Sequence, residues 1–261
     1  MSKHALALAA ALVAFNAQAL TAGDMAFTAF NADEDGFALV ALTDLAADTT
    51  VYFTDNEWNG LALGSGGAFN TGESYSVWHT GGLTISAGTV IRFSAVDNKT
   101  NMAASVGSFS RETVSGNSNW GLANSGETLY AYLGTNASTP TAFLAAITNG
   151  SFTSDGSLDG TGLTEGVDAI RLNTLVPSAT PDFGEYVGSR DGAASFADYL
   201  PLLANAANWT VDTVNGSYAS TVPDTTAFTV ATPAVPEPQS LALVLGGAGV
   251  AVVLTRRRRV L

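Results

Sequence analysis

The 261-residue chain has no cysteine, only two histidines, and ten basic residues against 23 acidic ones. Without cysteine there is no disulfide, no thiolate nucleophile and no cysteine-ligated zinc or iron–sulfur site. With His4 at the extreme N-terminus, His79 stands alone in the body of the chain, too little for His-based zinc catalysis. A Ser-His-Asp triad would have to use that one residue, and no G-x-S-x-G elbow accompanies it. The formal charge of −13 and a pI near 4.2 exclude the basic footprint of a nucleic-acid binder. There is no long hydrophobic run either: the C-terminal one, 241–254, falls short of the ~20 residues that span a bilayer comfortably. What is present is a chain 46% hydrophobic with 27 glycines, long enough for one large domain or two small ones.

Both ends read as addresses. Lys3 and His4 precede an apolar run over 5–15 and then Asn16-Ala17-Gln18-Ala19. A basic start, a short apolar core and small residues at −3 and −1 describe a signal helix (1–19), cut before Leu20, with Ala17 and Ala19 in the signal-peptidase pockets. The Sec translocon and signal peptidase are the partners this implies. A buried N-terminal helix is the other reading, since Ala and Leu are good helix formers.

At the other end, Val235-Pro236-Glu237-Pro238 comes first, then the apolar stretch, then Arg256, Arg257, Arg258 and Arg259. Two prolines flanking a glutamate hold the backbone extended, in a form that a protease or transpeptidase cleft accepts. The stretch makes a single transmembrane helix over 240–255 whose arginines stay on the cytoplasmic side and snorkel to offset its shortness. This tripartite tail, 235–261, resembles the PEP-CTERM sorting signal of Gram-negative bacteria. The resemblance implies recognition by an exosortase, a membrane enzyme of transpeptidase type, and a precursor anchored in the inner membrane. It further implies cutting near Glu237 and delivery to the cell surface or extracellular matrix, in a setting of exopolysaccharide and biofilm. An ordinary uncut membrane anchor is the alternative.

Between the ends, residues 20–235 hold 22 acidic residues against Arg92, Lys99, Arg111, Arg171 and Arg190, a net charge of −17. Such a surface repels polyanions and attracts divalent cations. Short apolar or alternating runs at 25–30, 37–42, 51–54, 75–78, 90–93, 129–133 and 169–172, separated by Gly/Asn/Asp/Ser clusters, predict an all-β antiparallel sandwich over 20–221. Phe196, Tyr199, Leu200 and Leu203 fall at helical spacing and predict a short late helix within 194–205, with Pro201 as a potential break. The Thr/Pro/Ala-rich 222–234 reads as a spacer. The phrases Gly23-Asp24-Met25-Ala26-Phe27-Thr28-Ala29-Phe30-Asn31, 37–42 and 51–58, with 203–209, resemble exported bacterial domains similar to lamin-tail-type, Ig-like sandwiches.

Asn31, Asp33 and Asp35, followed by Gly36, place oxygen ligands two apart in a turn, a spacing that suits Ca²⁺, but Leu42 stands where an EF-hand needs its glutamate. A solvated acidic hairpin loop explains the same residues. Asp55 and Glu57, two apart after a strand, point to one face. They suit a capped strand end, a second metal site, or the paired acids of a polysaccharide hydrolase. Trp58, Trp78, Trp120 and Trp209, with Tyr52, Tyr75, Tyr130 and Tyr132, are either core or a platform for sugar rings. The function this reading favours is non-enzymatic, adhesion or exopolysaccharide binding, with the hydrolase as its alternative.

Overall fold

The computed structural model describes residues 19–212 and 217–232. The expected signal sequence with Ala17, the motif at 235–238, the membrane helix 240–255 and Arg256, Arg257, Arg258 and Arg259 lie outside the described residues. Among the described residues, no helix is long and apolar enough to cross a membrane. The chain divides into two units, Met1–Val230 and Ala231–Leu261, and the first holds all the strands and helices among the described residues.

That unit is mostly β. Its strands are β1 (Met25–Asn31), β2 (Gly36–Ala41), β3 (Thr50–Thr54), β4 (Tyr75–His79), β5 (Val90–Ser94) and β6 (Ala103–Ala104). They continue with β7 (Ser108–Arg111), β8 (Thr128–Asn136), β9 (Thr139–Thr148), β10 (Ala169–Arg171), β11 (Phe183–Tyr186) and β12 (Trp209–Val211). They form two six-stranded sheets, ordered β12-β11-β1-β2-β5-β6 and β10-β9-β8-β3-β4-β7. All the runs read as strands in the sequence coincide with strands, with Leu42 just past the end of β2 and Leu172 already in the 3₁₀ turn that follows β10.

The sheets share an aromatic core. Phe37 of β2 and Phe93 of β5, stacked 4.8 Å apart, meet Phe53 of β3 at 4.9 Å each; Phe93 also meets Phe109 of β7 at 4.9 Å. Period two sorts β8 between the two faces of its sheet: Leu129 and Ala131 join this core, while Tyr130 and Tyr132 join a second cluster. Loop residues Trp58, Phe152 and Leu163 cover that outer face, with Phe69 packed against them. Buried ring heteroatoms find backbone acceptors, as when Trp78 Nε1 donates to the Val106 carbonyl at 2.8 Å and Trp58 Nε1 to that of Asp159 at 3.0 Å.

Two expectations are corrected, and the short late helix is present where expected. The sheets are not purely antiparallel, because β10 returns beside β9 in parallel register. The late helix is a 3₁₀ turn (Phe196–Tyr199) running into one α-turn, α1 (Leu200–Leu203). Pro201 does not break it, since it occupies the first turn, where the missing N–H costs no hydrogen bond. Lastly, the segment read as a spacer from 222 is folded onto the domain as far as Val230. Phe228 is 2% exposed in the main core; its N–H donates to the Gly88 carbonyl at 2.8 Å, and the Tyr199 hydroxyl donates to the Thr229 carbonyl at 2.5 Å. One phenylalanine in a Thr/Pro/Ala segment suffices, because the core offers it a slot between Tyr186 and Tyr199.

Candidate metal centre

Asn31, Asp33 and Asp35 lie where the sequence puts them, at the β1–β2 hairpin, and their side chains tie the loop to two other segments. Asn31 Nδ2 donates to the Tyr218 carbonyl at 3.0 Å, and Asp33 Oδ2 accepts from the Tyr218 N–H at 2.6 Å. Asp35, in the left-handed region at φ 53°, accepts instead from the Leu122 N–H at 2.6 Å. Burial, opposed by that hydrogen bond and reinforced by Asp97, Asp33 and Glu34, pushes the Asp35 carboxyl up to about 6. Glu34 between them pairs with Arg92.

A denser set of acids forms at one end of the second sheet. Strands β4, β3 and β8 are neighbours there, and Thr54 of β3 is in register with both Tyr75 of β4 and Tyr130 of β8. Asp55 follows β3, Glu73 stands two residues before β4, and Glu127 immediately precedes β8. Antiparallel pairing therefore brings all three to the same end of adjacent strands, with one carboxylate oxygen of each within 4.8 Å of the others.

Local hydrogen bonds hold them there. Asp55 Oδ1 accepts from both the N–H and the hydroxyl of Ser74 at 2.8 Å, and the Thr54 hydroxyl donates to the Ser74 carbonyl at 2.6 Å. Asn56 Oδ1 accepts from the Glu73 N–H at 3.2 Å, so the Thr-Asp-Asn phrase ending β3 latches onto the start of β4. Glu127 Oε2 accepts from the Ala123 N–H at 3.1 Å, and its backbone is gripped by Asn149. Two other oxygens of the set, Asp55 Oδ2 and Glu73 Oε2, are buried without a hydrogen-bond partner. Asp55 is 1% exposed and Glu127 5%, with Glu73 half-buried at the rim.

Burial without counter-charge drives these acids toward their neutral forms. Asp55 is pushed up to about 7 by burial, with Glu73 adding to it and Ser74 pulling back. Glu73 is also raised to about 7, by burial and then by Glu57, and Glu127 to about 9, by burial and then by Asp55 and Glu73. The neighbouring Tyr75 hydroxyl rises to about 12 from burial, with Asp55 adding to it. The two ion pairs among the described residues, Glu34–Arg92 and Asp224–Arg190, lie elsewhere.

Glu57 is not in this cluster; its carboxylate accepts from Asn70 Nδ2. Asp55 thus joins partners that the sequence reading did not name. Glu73 and Glu127 carry one signal in retrospect, since each stands at the entry to a strand as Asp55 stands at an exit. His79 is engaged across the β3–β4 pair by the Thr50 hydroxyl, 2.9 Å from Nδ1. Trp58, Trp78, Trp209, Tyr75, Tyr130 and Tyr132 are buried, which makes them core; Tyr52 is half-buried and stacks on Tyr132. Trp120, half-buried, lies under the Arg111 guanidinium at 4.3 Å. Compared with family models, curated proteins and solved structures, the chain gives no significant match.

Proposed function

We propose that this chain is exported and sorted by an exosortase-like membrane enzyme, and that its mature part is a non-enzymatic, lamin-tail-like module of the envelope or extracellular matrix. The module acts by adhesion or by binding exopolysaccharide. The observation that carries the reading is the fixed order at the C-terminus: Pro236-Glu237-Pro238, the apolar stretch, then four arginines, opposite an N-terminus with small residues at 17 and 19. A two-sheet domain built around a shared aromatic core supports it, because such a module holds together without disulfides. The engagement of His79 with Thr50 supports the non-enzymatic part.

Replacing Glu237 with Ala in a cell that carries the processing enzyme tests the sorting. The expected result is accumulation of uncut precursor in the inner membrane. Unchanged processing overturns sorting through this motif. Mass spectrometry of the mature C-terminus separates the plain anchor, which retains Arg256, Arg257, Arg258 and Arg259, from the sorted protein, which has lost them.

A further inference from the structure

The geometry points to a calcium site made by Asp55, Glu73 and Glu127, closing the end of the β4–β3–β8 strands. The inference stands on the folded domain and is independent of the sorting tail. Three carboxylates contributed by separate strand ends converge within 4.8 Å, which sequence neighbours in a solvated acidic loop have no reason to do. Independently, Asp55 is 1% exposed and its Oδ2 has no hydrogen-bond partner, although Oδ1 has two donors from Ser74. A buried carboxylate oxygen left bare costs stability unless something positive faces it. Glu73 Oε2 is bare in the same way.

The donor chemistry selects the ion. All three ligands are hard oxygens, with no imidazole or thiolate in the set, which favours calcium or magnesium over zinc. Calcium accepts carboxylate oxygens in flexible geometry, whereas magnesium demands a near-ideal octahedron and keeps several of its waters. Carboxylates brought within 4.8 Å of one another from three separate strand ends, two of them almost wholly buried, suit the first ion better than the second. Glu73, half-buried at the rim, gives the ion a way in, and three negative ligands against a divalent cation leave a bound site that is still anionic.

The test is calorimetric titration of the full-length chain in mild detergent with CaCl₂ after dialysis against EGTA, with thermal melts in parallel. The expected result is one calcium per chain, with a Kd of about 10⁻³ M or tighter, and a higher Tm in calcium. Asp55→Asn and Glu127→Gln each weaken binding at least tenfold while the far-ultraviolet dichroism is kept, and Asp97→Asn, on an exposed loop, leaves binding unchanged. If Asp55→Asn fails to fold, Glu73→Gln at the rim carries the same expectation. Absence of both heat and Tm shift overturns the site, and shows that protons alone neutralise the cluster. Undiminished affinity in the cluster variants, or loss of binding in Asp33→Asn instead, moves the ion to the hairpin loop and overturns it as well. Tighter binding of MgCl₂ than of CaCl₂ overturns the choice of ion.

Discussion

Ser74 donates two hydrogen bonds to one oxygen of Asp55, from its backbone and from its hydroxyl, both at 2.8 Å, and none to the other. The pair holds the carboxylate beside Glu73 and Glu127, with Oδ2 buried and without a hydrogen-bond partner. Ser74→Ala keeps the backbone donor and frees the carboxylate to turn. Outer partners of this kind are worth about 10–100-fold in metal affinity. The variant is therefore expected to lose about tenfold in calcium affinity, measured by the same calorimetry, while its calcium-free stability falls by only about 1 kcal/mol.

Core packing gives a prediction independent of any ligand. Phe93 touches Phe37 in its own sheet and Phe53, Trp78 and Phe109 in the other. Truncating a phenylalanine of this kind leaves a cavity on both sides of the interface, so Phe93→Ala is expected to cost about 3–5 kcal/mol in urea unfolding. Leu83, 52% exposed, has little to lose, and Leu83→Ala is expected to stay within about 0.5 kcal/mol of the parent.

Asp35 gives the domain a pH dependence of known sign. Its carboxyl is raised in the fold from the usual 3.8 to about 6, chiefly by burial. A raised acid stabilises the fold fully below its unfolded value, and that contribution is lost as pH climbs through about 6. Asp35→Asn removes the titration, keeps an oxygen for the Leu122 N–H and tolerates the left-handed backbone. Parent and variant are expected to melt alike near pH 4, with the variant the more stable by pH 7. Scanning calorimetry across that interval checks it.

The clasp at Phe228 predicts where the domain ends. A chain stopped after residue 221 forfeits the buried ring and its two flanking backbone bonds; one stopped after 232 keeps them. The longer form is expected to be more stable by at least the ~3–5 kcal/mol of a phenylalanine truncation. Gly88→Ala should imitate the loss, because a Cβ there meets the Phe228 carbonyl directly and the backbone sits at φ 87°. Urea titrations of the three chains against the parent decide it.

Much of the β framework was legible from local pattern, and the failures have physical causes. Strands β1 to β5, β8 and β10 announce themselves by apolar or alternating runs bounded by turn residues. Strand β9, the longest at ten residues, gives no clear local signal because Pro140 and its three alanines carry little strand propensity; its pairing with β8 supplies what composition does not. The brief β6, β7 and β12 sit on sheet edges, where one neighbour is enough and the pattern is weak. Asp55 was visible as an acid at a strand exit. Its partners Glu73 and Glu127 were not, because their meeting depends on β8, β3 and β4 lying side by side, a long-range fact that no window of sequence contains.

The seating of Phe228 also decides how the domain meets a pull on its C-terminal side. Tension arriving along the backbone at 231–232 is taken first by one ring in its slot, by the Thr229 contacts with Tyr199 and Arg190, and by the bridge from Val230 to Ala193, none of which belongs to either six-stranded sheet. Under load this fastening is expected to give way before any strand is peeled, because its few contacts lie outside both ladders.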